Sequence, residues 1–266
     1  MVAGVIAAVS LSGTAGASGG SGARAGSGAK PTIVLEHGAF ADTSSWNGVI
    51  KRLQKSGYPV VAAANPLRGP ASDAGYLRSV VDRIDGPVVM VGHSYGGTVI
   101  SDAAVGHEDK VKALVYIAAF LPDTGETSLG LSNKFPGSTL GDAIEAVPYR
   151  LPGGSSGNDV YIKPDKFRQQ FAADVSQSQA SLMAATQRPI AAAALEEKAT
   201  KAAWKTIPSW SLIATQDLNI PPASQRFMSE RADAHTVEVK ASHAVPVSRP
   251  DVVSRIIQQA ANTTGR

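Results

Sequence analysis

The chain has 266 residues, 43% of them apolar and 18% charged, and 25 Lys and Arg against 22 Asp and Glu leave a net charge of +3. That length suits one domain, the apolar fraction can fill a sizeable core, and the thin charge argues against a disordered chain or a nucleic-acid partner. Zero cysteines exclude disulfides, thiolate nucleophiles and sulfur-ligated zinc, so nucleophilic chemistry falls to Ser, Thr, Lys or a carboxylate.

Residues 1–30 are dominated by Gly, Ala and Ser, with no basic residue before Arg24 and no acid before Glu36. Val2 to Leu11 (VAGVIAAVSL) has the length of a signal-peptide core, and Ala15-Gly16-Ala17 resembles a cleavage site, although the usual basic n-region is missing. The expectation is a signal-like leader outside the fold and a secreted protein, with the cytoplasm as the alternative. The apolar run is too short to span a bilayer, so no stable membrane insertion is expected.

From Thr32 onward short apolar runs alternate with helix-sized amphipathic segments. The strand candidates are Thr32 to Glu36, Pro59 to Ala64, Pro87 to Val91, Lys112 to Ala119, Trp210 to Ala214 and Thr236 to Lys240. Between them lie helix candidates at Trp46 to Lys55, Ala74 to Ile84, Gly97 to Val105, Pro222 to Ala232 and Asp251 to Ala261. Runs rich in Val and Ile and separated by helices predict parallel strands covered on both faces, an α/β architecture. Between Phe120 and Ile207 no run reads as a strand, and residues 121–205 are expected to form a mostly helical cap inserted into a domain of residues 31–266. There Phe167, Phe171 and Val175 recur every four residues, one apolar helix face best read as core packing.

The pattern G-x-S-x-G occurs three times, at Gly16 to Gly20, Gly92 to Gly96 and Gly153 to Gly157. Only the second, Gly92-His93-Ser94-Tyr95-Gly96, follows a buried-strand run (PVVMV) and precedes a helix (GGTVISDAAV). That context holds a serine hydroxyl exposed on a sharp turn, so Ser94 is the candidate nucleophile. A serine needs a base, and such turns are followed in the chain by an acid and then a histidine. His93 lies inside the turn and should point away from Ser94. His107 sits in a charged loop and His235 at the start of the last strand run. His243, just past that strand, is the candidate base. Asp217, after WSLIATQ and before a proline-started helix, is the candidate acid that fixes its tautomer, with Asp123 as the rival. Acyl transfer also needs oxyanion donors. The N–H of Tyr95 is one candidate; the other is that of Ala39 in His37-Gly38-Ala39-Phe40, with Phe40 in reserve.

Together HGAF, GHSYGG, Asp217 and His243 resemble the α/β-hydrolase superfamily over residues 31–266. Within it, HGAFADTSSW, AAFLPDTGE and HAVPVSRP resemble the branch of plant methylesterases, hydroxynitrile lyases and bacterial carboxylesterases, pyrethroid hydrolases included. The chain has no room for the two leading strands of larger members, so a mostly parallel sheet of about six strands beginning at Thr32 is expected. The resemblance implies a carboxylic-ester hydrolase that forms an acyl-enzyme on Ser94, with no cofactor or metal, acting on a small-molecule ester. A missing G-x-G-x-x-G after the first strand separates it from dinucleotide-binding α/β proteins.

Three alternatives share the scaffold. A cyanohydrin lyase of this branch carries a lysine directly after the histidine, where this chain has Ala244. A perhydrolase would pass the acyl group to peroxide. A binding protein without turnover would show a substituted triad, and the three positions here carry reactive residue types.

Overall fold

Strand and helix alternate from Thr32 because strands of four to seven residues that are apolar on both sides need cover on both faces, and the intervening segments supply it. A computed structural model of the protein describes residues 30–150 and 153–263. Of the leader expected over residues 1–30, all but Lys30 lies outside the described residues, as does the Gly16 to Gly20 match. The first half runs β1 (Thr32–Glu36), α1 (Asn47–Lys55), β2 (Val60–Ala63), α2 (Pro70–Asp82), β3 (Val88–His93), α3 (Tyr95–Ala103) and β4 (Val111–Ile117). An insertion follows with α4 (Ser128–Ser132), α5 (Leu140–Ala143), β5 (Ile144–Arg150), β6 (Ser156–Ile162), α6 (Pro164–Phe171), α7 (Gln177–Thr186), β7 (Ile190–Ala191) and α8 (Ala192–Glu196). The chain then returns through β8 (Ser209–Ala214), α9 (Pro222–Arg231), β9 (His235–Val239), α10 (Val245–Ser248) and α11 (Pro250–Thr263).

The main sheet has six strands in the order β2-β1-β3-β4-β8-β9, and every neighbouring pair is parallel. Alternation along β1 sends Ile33 and Leu35 to one face, where Trp46, Val49 and Leu53 at α1 and Val253, Ile256 and Ile257 of α11 cover them. Val34, Met90 and Leu114 face the other way, against Leu77 and Val81 of α2 and Val99 and Ile100 of α3. Burying each such side chain contributes roughly 1.5–3 kcal/mol relative to exposure. The chain passes from β1 to β2 on one side and then returns through α2, across β1, to β3 on the other side. At such a switch point the loops after the two strands diverge and leave a crevice at their carboxyl ends. The HGAF loop follows β1 and Ser94 follows β3, so both candidate segments border it.

The insertion differs from the sequence expectation. It is helical in part, but β5, β6 and β7 form a three-stranded antiparallel sheet where no strand is predicted. The Gly153 to Gly157 match sits at the β5–β6 turn, with Gly153 and Gly154 at φ of 92° and 91°, and not on a strand-to-helix elbow. The insertion reaches the loops at the carboxyl ends of the main strands. Phe40 N–H donates to Arg188 O at 2.9 Å, Ala191 N–H to Leu67 O at 3.0 Å, and Ala244 N–H to Phe171 O at 2.9 Å. The Ser242 N–H and hydroxyl both donate to the Asp174 carboxylate. No helix among the described residues is long and apolar enough to cross a membrane.

Candidate active site

Ser94 joins β3 to α3 with φ 55° and ψ −124°, a left-handed conformation that costs a non-glycine residue about 1–3 kcal/mol and lifts its side chain off the strand. The turn needs its glycines for space: a Cβ on Gly92 would stand 2.6 Å from the Gly96 carbonyl group. Gly38 brings the β1 loop over the serine, since a Cβ there would lie 2.6 Å from Ser94 Cβ and 3.2 Å from its Oγ.

His243 follows β9 and is 1% exposed. Its Nδ1 lies 2.6 Å from Asp217 Oδ2. The Asp217 carboxylate also accepts from the N–H groups of Asn219 (2.7 Å) and Ile220 (3.0 Å) and from Gln225 Nε2 (2.9 Å). Four donors around a buried anion compensate for its lost hydration and fix its direction. An ionised carboxylate can only accept, so Nδ1 carries the proton and Nε2 is the basic nitrogen of the neutral ring. Phe171 stands edge-on to this imidazole, ring centroids 5.0 Å apart, and also to Phe40 and His93. Phe167, Phe171 and Val175 are all buried, but α6 ends at Phe171, so Val175 packs from the bend after the helix and not from the predicted helix face; Phe171 in addition walls the histidine.

Among the described residues no hydrogen bond joins Ser94 to His243. The connection runs through the neighbouring residue: His93 Nε2 lies 2.9 Å from the His243 carbonyl oxygen, and the two imidazole rings are 4.8 Å apart. A carbonyl only accepts, so His93 donates from Nε2. Complete burial, reinforced by the neighbouring His243, holds its pKa well below the usual histidine range and keeps it neutral. The serine–base bond in such sites is commonly long without substrate and tightens when substrate binds.

The loop after β1 is held by His37. Its Nδ1–H donates to Gly38 O at 2.9 Å and its Nε2 accepts from Asn65 N–H at 3.1 Å, while Asn65 Nδ2 donates to His37 O at 2.9 Å. Burial pushes the His37 pKa down to about 4. Phe40, at φ 60°, commits its N–H to the Arg188 carbonyl. Ala39 and Tyr95 N–H groups have no hydrogen-bond partner among the described residues; Tyr95 opens α3, where N–H groups have no helical acceptor.

Other sequence candidates lie elsewhere. Asp123 pairs with Lys205, which holds its carboxyl below the usual range. His107 lies 3.0 Å from Asp82, and His235 stacks on Trp210 at 4.9 Å. Sequence reasoning missed the bracing by His37, Asn65, His93 and Gln225, because each acts through hydrogen bonds to main-chain groups or a carboxylate that leave no pattern in the sequence. The signal that could have found His37 and His93 is their place inside the two glycine turns.

The model of the alpha/beta hydrolase family matches residues 33–256. The chain is 29% identical over 253 residues to the alpha/beta hydrolase nvfD of Aspergillus novofumigatus, covering 87% of this chain and 97% of that one. It is 28% identical over 258 residues to the pyrethroid hydrolase of Sphingobium wenxiniae, covering 86% and 87%, and methylesterases of Arabidopsis thaliana are also among its relatives. In fold it resembles polyneuridine aldehyde esterase, with a TM-score of 0.75 at 20% identity over 86% of this chain and 98% of that one. A family model spanning nearly all of the described fold, with relatives aligned almost end to end, means that this chain belongs to the alpha/beta hydrolase family.

Proposed function

We propose that the protein is a serine hydrolase of small carboxylic esters. The observation that carries this reading is the buried His243–Asp217 pair at 2.6 Å, held against His93, the residue before Ser94 in the elbow. Ser94 Oγ attacks the ester carbonyl carbon while His243 Nε2 takes the hydroxyl proton. The new imidazolium is stabilised by Asp217, and the N–H groups of Ala39 and Tyr95 receive the oxyanion. The C–O bond to the alcohol breaks as His243 returns the proton to the leaving oxygen. Water, deprotonated by the same nitrogen, then attacks the acyl-enzyme and frees the acid and Ser94.

Relatives named as a pyrethroid hydrolase and as methylesterases support ester chemistry. Nothing in the site favours the lyase alternative, since the position after the histidine is the buried Ala244. Treatment with a p-nitrophenyl phosphonate tests the reading: the label is expected on the peptide containing Ser94 at one per chain, and labelling elsewhere, or none, contradicts it.

A further inference from the structure

The cavity beside Ser94 is small, about 40 Å³, room for a few water molecules. Phe120, Leu129, Leu195 and Ile220 give it apolar walls, and Asn219 is among the residues that line it. Asn219 is 3% exposed, and most of its polar atoms are occupied. Its N–H holds Asp217, and its carbonyl accepts from Ser132 Oγ at 2.8 Å and Ser138 Oγ at 3.0 Å. Its side-chain orientation is fixed by Gln170. The Gln170 amide lies 2.9 Å from Leu218 O and 2.7 Å from Asn219 Oδ1, while its other end accepts the Thr139 hydroxyl at 2.7 Å. A main-chain carbonyl cannot donate, so the Gln170 atom against Leu218 is Nε2, and the Asn219 atom against it must be the acceptor Oδ1. The other end of Asn219 is therefore the NH₂ group, and Nδ2 is buried with no hydrogen-bond partner among the described residues.

A buried amide nitrogen without a partner is costly in a finished fold and serves where an arriving ligand supplies the acceptor. Building on the ester-hydrolase reading, we infer that Asn219 Nδ2 donates to a second oxygen of the substrate, making the preferred substrate a short ester that carries a carbonyl, hydroxyl or ether oxygen beyond the ester group itself. Asn219 is then a specificity-determining residue. Its backbone orients the acid of the triad while its side chain reads the substrate, so the two functions are tied to one loop position.

Two matched pairs of esters test this. Methyl 3-oxobutanoate against methyl butanoate places the extra acceptor on the acyl side, and 2-methoxyethyl acetate against butyl acetate places it on the alcohol side. Each ratio of kcat/KM is divided by the corresponding ratio for hydroxide-catalysed hydrolysis. In the wild type one corrected ratio is expected to exceed about tenfold. In Asn219→Leu that ratio should fall towards one. In Asn219→Asp, which keeps the acceptor facing Gln170 and loses both amide protons, it should fall to one or below. Both wild-type ratios near one, as for an amide that holds only a water, would overturn the inference while leaving the hydrolase reading intact, and so would a high ratio that survives both substitutions. Wild-type protein that turns over none of the four esters and resists labelling at Ser94 removes the hydrolase reading, and this inference with it.

Discussion

His93 Nε2 donates to the main-chain carbonyl of His243 across 2.9 Å, so the residue immediately before the candidate nucleophile fixes the backbone that carries the candidate base. The bond is buried on both sides and joins the last residue of β3 to the loop after β9. His93→Phe keeps an aromatic ring and removes the donor. The expected result is a fall in kcat of about 10- to 100-fold, because small displacements between reacting groups cost that much, with KM little changed. A KM increase with kcat preserved would mean that His93 serves the pocket and not the alignment.

Asp217→Asn leaves the carboxylate's shape in place and reverses the hydrogen-bond logic: an amide nitrogen facing His243 Nδ1 would turn the proton to Nε2, where it blocks the base. A loss in kcat of about 10⁴-fold is expected, measured on any ester that the wild type turns over. A loss of less than tenfold would move the orienting role to another group.

The strands and the elbow were legible because burial writes itself into sequence. Thr32 to Glu36 is read residue for residue as β1, and PVVMV followed by GHSYGG marks β3 and α3 since all six residues of β3 are buried. The cap sheet left no such trace. β5 is exposed or half-buried throughout and contains Pro148, which an edge strand tolerates. β6 begins with Ser156, Gly157 and Asn158 and is held by its pairing with β5 more than by any apolar face. β5 has no buried side, and β6 buries only Val160 and Ile162 at its end, too short a stretch for a period-two pattern to read. The candidates Ser94, Asp217 and His243 are chosen from their places after strands, and the structure pairs the last two at 2.6 Å. The roles of Gln225, Asn65 and Asn219 cannot be read in this way, because they rest on hydrogen bonds that only the folded chain brings together.

The depressed pKa of His37 makes a stability prediction. The folded state keeps the ring neutral down to about pH 4, whereas the unfolded chain takes up a proton near pH 6.5. Between those values the unfolded state binds more protons, so stability is fully present above about pH 6.5 and falls as pH drops towards 4. The loss amounts to roughly 3 kcal/mol over that window. Urea unfolding midpoints measured at pH 7, 5.5 and 4.5 should decline in that order, and the decline should be shallower in His37→Gln. An equal pH dependence in the two proteins would contradict the assignment.

Glu36 acts in the opposite sense. Its carboxyl is wholly buried, both oxygens lack hydrogen-bond partners among the described residues, and burial, then the neighbouring Asp73, pushes its pKa well above the usual value. The folded state holds this group protonated where the unfolded chain has already ionised, so its share of stability is present below about pH 4.5 and is lost as pH rises beyond that. Glu36→Gln removes the titration. The variant should melt at a higher temperature than the wild type at pH 8, and the difference should shrink at pH 5; a difference independent of pH would show that Glu36 is solvated or paired in solution.

Acyl transfer through Ser94 is checked by rapid mixing of wild type and Ser94→Ala with p-nitrophenyl acetate. The wild type is expected to release p-nitrophenol in a burst of one equivalent per active chain followed by steady turnover. The variant should show no burst and a rate near that of the uncatalysed reaction. Hydrolysis that continues undiminished in Ser94→Ala would contradict the account.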